Sequence, residues 1–323
     1  MRPIAVLYEN EAWMAPLFVA LERLEVPHER VFANAQAFDP SASAPDWSLA
    51  VNKVSPSSYL RGHAPSIAFA RQFLPFLEER GIPVVNGSEA FRLETSKALQ
   101  LLLLHRLAIR APAAHVVNDP SRTVDAARGL RPPFIVKPNI GGSGALARRF
   151  DSLDELAAAI PSIDLGPDGT GLVQEYLEPV DGAIARIEFL DGQLLYGIRI
   201  TSDSTDEFNL CPADICQVPA SQPLTGAVNE LTTAAVSAKK PMRIEAFDPP
   251  ADMVDAVLRI AEAGRLDVGG VEYLVAARDG LPYVYDINAL SNFVTDAVTL
   301  VGFDPHERFA RYLADRARAG AAA

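Results

Sequence analysis

Pro133-Phe134-Ile135-Val136-Lys137-Pro138-Asn139-Ile140-Gly141-Gly142-Ser143-Gly144-Ala145 is the stretch on which the reading of this chain turns. The apolar run Phe134 to Val136 reads as a short buried strand that delivers a lysine, Lys137. A loop of small residues follows, with Gly141, Gly142, Ser143 and Gly144 in succession. Loop glycines let backbone N–H groups approach phosphate oxygens closely, and a lysine supplies a point charge. Taken alone, the segment reads equally well as a glycine-rich hairpin turn with no ligand.

Other nucleotide and hydrolase signatures are missing. The chain has no G-x-x-x-x-G-K-[ST] loop and no G-x-G-x-x-G after its first strand. Ala145 stands where a serine-hydrolase elbow needs its last glycine, so Ser143 is not expected to be a nucleophile.

A second cation lies upstream, in Glu94-Thr95-Ser96-Lys97-Ala98-Leu99-Gln100. Thr95 or Ser96 is a candidate cap for the Leu-rich helix that follows, and a helix N-terminus favours an anion. A solvated surface lysine is the plainer account of Lys97.

Downstream, Val271-Glu272-Tyr273-Leu274 and Pro282-Tyr283-Val284-Tyr285-Asp286-Ile287-Asn288 read as two arms of a hairpin. Asp286 and Asn288 are two apart, so they share a strand face. A two-residue Asp279-Gly280 turn would pair Glu272 with Ile287, on the opposite face. A three-residue loop, Arg278-Asp279-Gly280 with Gly280 left-handed, pairs Glu272 with Asp286, and it is the loop expected here. Three oxygen donors on one face suit Mg²⁺ or Mn²⁺ bound together with phosphates. An earlier hairpin is signalled by Asp191-Gly192 between Ile184–Leu190 and Gln193–Ile200. A two-residue turn there puts Arg186, Glu188 and Arg199 on one face, as an anion site or as a structural ion pair.

Around these motifs the chain has 323 residues, a formal net charge of -12 and 49% hydrophobic residues, enough for two or three lobes with their own cores. The acidic balance argues against nucleic acid or an anionic membrane as partner. No apolar run is long enough to span a bilayer and no cleavable leader is evident, so the cytoplasm is the expected location. Cys211 and Cys216 are too few for a disulfide framework and read as small hydrophobes before a reactive pair. The five His residues form no metal or triad spacing, and no general base stands out.

The order of elements starts β-α-β with Ile4 to Tyr8, the Leu17/Leu21/Leu24 helix and His28 to Phe32, which implies a parallel α/β lobe. Residues 1–88 are assigned to that lobe, 89–176 to a second lobe with the Gly-rich loop, and 177–323 to a third with the metal ligands. Ser152-Leu153-Asp154-Glu155 is a capping box. Residues 202–240 are polar, poorly periodic and expected to form a long loop or lid.

Four stretches in this order resemble the ATP-grasp superfamily, in its RimK-like, glutamate-ligase-like branch. They are Glu94 to Lys97 with the Leu run, Phe134 to Pro138 with the Gly loop, Leu172-Val173-Gln174-Glu175-Tyr176-Leu177, and Glu272 with Asp286-Ile287-Asn288. The resemblance implies an ATP-grasp fold, in which a parallel α/β lobe precedes two antiparallel α+β lobes that clamp ATP. It implies phosphate contacts from Lys97, Lys137 and Gly141 to Gly144, and an adenine hinge at Gln174, Glu175, Tyr176 and Leu177. It further implies Mg²⁺ (or Mn²⁺) on Glu272, Asp286 and Asn288, with Arg186 and Arg199 as catalytic cations. The implied activity is ligation of a small-molecule carboxylate, through an acyl phosphate, to an amine. A small-molecule kinase and a non-catalytic nucleotide-binding regulator are the alternatives, and a homodimer is reasonable by analogy. The sequence departs from the branch after Asn288, where Ala289-Leu290-Ser291-Asn292-Phe293 replaces the usual small residue, Ser, Pro, Gly. It departs again at Phe208 to Cys216, where a basic loop is expected.

Overall fold

Ile4–Tyr8 (β1) is buried along its whole length, the signature of a strand covered on both faces. Asn10 caps the helix that follows, Glu11–Arg23 (α1), accepting a bond from the Trp13 N–H at 3.3 Å. His28–Phe32 (β2), Leu49–Lys53 (β3), Ala64–Glu79 (α2) and Val84–Val85 (β4) complete a parallel sheet in the order β2-β1-β3-β4. The computed structural model describes residues 1–142, 144–202 and 242–322.

Two short helices, Ser88–Glu94 (α3) and Lys97–Arg106 (α4), lead to a four-stranded antiparallel sheet. Its strands are Ala114–Val117 (β5), Phe134–Pro138 (β6), Arg148–Phe150 (β7) and Gly171–Glu175 (β8), in the order β5-β8-β6-β7. Alternation along β6 decides what faces where. Phe134 and Val136 enter a core with Val173, Phe150, Ala127 of Thr123–Ala127 (α5) and Leu156 of Leu153–Ala159 (α6). Ile135 and Lys137 are left on the opposite face. Ser152 caps α6 as expected, accepting from the Glu155 N–H at 3.1 Å, while the Glu155 carboxylate accepts from Asp151 N at 2.7 Å.

The third sheet has five antiparallel strands: Pro179–Leu190 (β9), Gln193–Ser202 (β10), Met242–Ala246 (β11), Val268–Ala276 (β12) and Pro282–Asn288 (β13). Their order is β11-β10-β9-β12-β13. Ala251–Ala263 (α7) covers one face, packing Met253, Val257 and Ile260 against Ile187, Phe189 and Val271. Ala90, Leu93, Leu103 and Leu104 of α3 and α4 join this same core. These helices precede the second sheet in sequence yet pack on the third. The chain ends with Ala297–Val301 (α8) and Pro305–Ala322 (α9). Phe309, Ala310 and Leu313 of α9 share a core with Ile4, Val6 and Val51, so the last helix closes the first lobe.

One buried side chain ties the lobes together. Asn86, left-handed at φ 51°, donates to the carbonyls of Val268 (2.8 Å) and Ala289 (2.7 Å). Its carbonyl oxygen accepts from Asp267 N at 2.8 Å and Val268 N at 3.3 Å. Asn86→Ala orphans several buried backbone groups and loses the tolerance of the left-handed conformation that the Asn side chain provides. The expected cost is about 3–5 kcal/mol of unfolding free energy, measured by urea titration. A loss under about 1 kcal/mol would mean that water replaces these bonds.

Candidate active site

The second and third sheets face one another across a cleft of about 1310 Å³, counting its solvent-open mouth. Its enclosed part is about 240 Å³, near the lower end of small-molecule sites at roughly 300–1,000 Å³, and the open mouth extends it. Its apolar lining comes from Ile135, Ala147, Tyr176, Leu177, Ile184 and Leu274. Lys97, Lys137, Gly141, Gly142, Gly144, Glu272 and Asp286 also line it. Ser143, between these glycines, lies outside the described residues.

Asn139 brings the two lysine-bearing segments together. Ser96 is the N-cap of α4, accepting from Leu99 N at 3.3 Å, and Lys97 is the first helical residue. The Asn139 side-chain oxygen accepts from Ala98 N at 3.0 Å and Ser96 Oγ at 3.2 Å, while its backbone carbonyl accepts from Lys97 N at 3.2 Å. The loop after β6 thus caps the helix that carries the other lysine. Nothing in the local pattern of either segment announced this tie.

The metal-ligand hairpin reaches the expected pairing by another route. Its loop has four residues, 277–280, with the Gly280 N–H bonded to the Ala276 carbonyl at 2.8 Å and Gly280 left-handed at φ 68°. That loop alone would offset the register by one. A bulge at Tyr285 restores it, so Glu272 pairs with Asp286 and Gly270 with Asn288. The expected three-residue loop is therefore corrected, while the shared face of Glu272, Asp286 and Asn288 stands.

The charges on that face are tightly paired. Lys97 Nζ donates to Asp286 Oδ1 in a short ion pair. Arg186, across from Glu272 in the adjacent strand, bonds Glu272 Oε1 through Nη1 at 2.7 Å and Glu188 Oε1 through Nε at 2.6 Å. Burial works against the Lys97 charge, but Asp286, Glu94 and Glu272 outweigh it and raise its pKa. Burial drives the Lys137 ammonium down to about 7, helped by Lys97 and opposed by Asp286 and Glu272. Burial also raises Glu272, and Asp286 beside it adds to that, against the pull of Arg186. Asp286 is held below the usual carboxylate range, because Lys97 and Lys137 overcome its burial. Burial lifts Glu94 to about 7 although Ala289 N–H donates to it.

These residues fit a divalent ion. Buried Glu272 and half-buried Asp286 face one another across a strand pair, with the Asn288 amide on the same face, and all are hard oxygen donors. A pair of that kind requires cations, which Lys97 and Arg186 supply in this structure.

Two residues expected here are elsewhere. The Asp191-Gly192 turn has two residues as expected, with both in the left-handed region, but a bulge at Leu195 shifts the register. Arg199 then pairs with Ala185, on the opposite sheet face from Arg186, and lies over the Phe247 ring at 5.2 Å. Arg199 is outside the cleft, and its expected place beside Arg186 is corrected. Glu175 also faces away, since alternation along β8 puts it across from Phe134. It accepts from Ala113 N at 2.9 Å and Arg278 Nη1 at 2.6 Å. Gln174, Tyr176 and Leu177 do line the cleft. Cys211, Cys216 and nearly all of the segment 202–240 lie outside the described residues.

Several polar residues escaped the sequence reading. Lys53, Glu94 and Ser291 are buried near this face beside Glu188, whose ion pair with Arg186 was one of the two readings of the earlier hairpin, and Glu9 is buried in an ion pair with Arg61. A charged residue inside an apolar run, as in Leu49-Ala50-Val51-Asn52-Lys53-Val54, was the available signal. Gly270 offers a direct probe of this site, because a Cβ there would meet Arg186 Nη2 at 2.5 Å and Cζ at 2.7 Å. Gly270→Ala therefore displaces the guanidinium and leaves the strand in place. A crystal structure of the variant is expected to show the Arg186–Glu272 contact broken, with unfolding free energy lowered by about 1–3 kcal/mol because two buried carboxylates lose their cation. An unmoved guanidinium would mean that the strand gives way instead of the side chain.

No protein-family model matches the chain, and no curated protein matches its sequence. Three sheets in this arrangement, with the cleft between the second and third, define the ATP-grasp fold, and the chain has that fold. Among solved structures, the ATP-grasp ligase PsnB in complex with a minimal precursor superposes with a TM-score of 0.65 at 18% identity, over 98% of this chain and 100% of that one. A RimK domain ATP-grasp protein from Sphaerobacter thermophilus gives 0.65 at 19% identity, over 96% and 98%. D-alanine–D-alanine ligase from Bacillus anthracis gives 0.65 at 16% identity, over 99% and 98%. Among the described residues, no helix is long and apolar enough to cross a membrane.

Proposed function

We propose that this chain is an ATP-dependent ligase of the RimK-like branch that activates a carboxylate as an acyl phosphate and transfers the acyl group to an amine. The observation that carries the reading is the convergence of Lys97, Lys137, Glu272 and Asp286 in the lining of one cleft that Gly141, Gly142 and Gly144 also line. The names of the similar structures support it. PsnB and the Bacillus anthracis enzyme are ligases, and PsnB has been solved with Mg and ADP.

In this reading the adenine lies against Ile135, Tyr176, Leu177 and Leu274, with Gln174 and backbone groups of 174–177 reading its edge. Lys137 and Lys97 hold phosphate oxygens, and Gly141 to Gly144 bring backbone N–H groups to them. Mg²⁺ on Glu272, Asp286 and Asn288 would neutralise phosphate charge during transfer. The carboxylate oxygen of the substrate bonds to the γ-phosphorus as the bridge to the β-phosphate breaks, releasing ADP. The amine then attacks the acyl carbon and inorganic phosphate leaves. Arg186, held between Glu188 and Glu272, stabilises the charge that develops on the acyl phosphate and the tetrahedral species. Residues 1–88, 89–176 and 177–323 are read as the three lobes, with α3 and α4 lent to the third sheet and α9 to the first.

The test is to incubate the protein with Mg·ATP and pools of amino acids, dipeptides and other small carboxylates. ADP is followed by coupled assay and condensed products by mass spectrometry. ADP together with a product lighter than its two substrates by one water supports the ligase. Release of ADP with a phosphorylated product and no conjugate would replace it with a kinase.

A further inference from the structure

A chain of buried polar contacts runs from the first lobe into the cleft. Lys53, the last residue of β3 and 4% exposed, donates from Nζ to the Ser291 carbonyl at 2.8 Å. Ser291 Oγ donates to Glu188 Oε1 at 2.9 Å, and that oxygen also receives Arg186 Nε at 2.6 Å. Arg186 Nη1 then reaches Glu272 at 2.7 Å. Glu188 is fully buried, and its second oxygen, Oε2, has no hydrogen-bond partner.

Two carboxylates compete for one guanidinium in this arrangement. A buried carboxylate with a bare oxygen draws any cation near it. If Arg186 were the sole counterion of Glu188, both of its forks would turn to that residue and leave Glu272. Burial lowers the Lys53 ammonium to about 8, while Glu188 first and Glu94 after it favour its charge. A methionine of similar length would fill the same space without desolvating a charge, so burying an ammonium here is costly for stability alone.

We propose that Lys53 is a positioning residue, whose charge offsets Glu188 and so leaves Arg186 free to bridge toward Glu272 and the reacting phosphoryl group. The proposal rests on the ligase reading for its consequence, but the division of Arg186 between two carboxylates is independent of it. Lys53 touches no reacting atom. It acts through Ser291 and Glu188, which couples the first lobe to the third at the point where the loop after Asn288 begins.

The experiment compares full-length wild type with Lys53→Met, Lys53→Arg, Glu188→Gln and the Lys53→Met/Glu188→Gln double variant. Crystal structures report the Arg186–Glu272 contact, calorimetry the affinity for Mg·ADP, and coupled assay the release of ADP from Mg·ATP. In Lys53→Met the guanidinium is expected to leave Glu272, and ADP release to fall about tenfold while Mg·ADP affinity changes less than about threefold. Lys53→Arg keeps the charge and should retain most of the rate. The double variant removes both charges and should recover the contact and most of the rate. A purely structural lysine gives a different pattern, with lowered thermal stability, an unmoved Arg186 and no rescue by Glu188→Gln. That result overturns the proposal, and so does a Lys53→Met enzyme with the wild-type rate. If Lys53→Met does not fold, the double variant and Lys53→Gln carry the same crystallographic comparison. If wild type itself releases no ADP with any substrate pool, the ligase reading fails, and the position of Arg186 still decides the proposal.

Discussion

Asp286→Ala is expected to lower ADP release from Mg·ATP by about a thousandfold, the largest single effect in this protein. The carboxylate has two tasks at once. It pairs with Glu272 across the hairpin to form the oxygen-donor face, and it holds the Lys97 ammonium in the cleft. Its loss leaves Lys97 beside Lys137 with one neutralising carboxylate fewer, so the two ammonium groups repel more strongly. Affinity for Mg·ADP should fall with the rate, while affinity for metal-free ADP should change little. Circular dichroism would establish that the variant is folded. Turnover within tenfold of wild type would sink the assignment of this hairpin as the metal site.

Lys137→Met is expected to cost about a hundredfold in ADP release and to abolish a specific pH dependence. Burial, then Lys97, pushes the Lys137 ammonium down to about 7 in the free protein. Above that pH the amine is neutral before nucleotide arrives. Phosphate oxygens favour the charged form, so binding above pH 7 takes up a proton, and affinity falls as pH rises by at most about tenfold per unit. Calorimetry of ADP binding near pH 8, in buffers of different ionisation enthalpy, measures this uptake. Glu94 at about 7 and Lys53 at about 8 titrate in the same range, so the difference between wild type and Lys137→Met isolates the lysine. Equal buffer dependence in both proteins would assign the proton to another group.

Much of the fold was legible because it is written in local periodicity. The all-apolar β1, the apolar runs of β6 and β8, and the left-handed Asp191-Gly192 and Gly280 positions are each dictated by a few adjacent residues. The same periodicity gave the shared face of Asp286 and Asn288. It failed where one extra residue changes parity. The bulge at Leu195 moved Arg199 away from Arg186, and the bulge at Tyr285 compensated a loop one residue longer than expected. A bulge depends on twist and on packing against neighbouring strands, which no short window of sequence records.

The sequence by itself determined the three sheets, the Lys137 strand with its glycine loop and the donor pattern of the last hairpin. Each of these is a short-range consequence of side-chain alternation and turn chemistry. Only the tertiary structure decided that α3 and α4 pack on the third sheet, that α9 closes the first lobe, and that Asn139 caps the helix of Lys97. It alone joined Lys53 to Ser291, Glu188 and Arg186 across more than two hundred positions of chain. The physical reason is that buried charges choose partners by proximity in a low-dielectric interior, and that proximity exists only once separate lobes have packed.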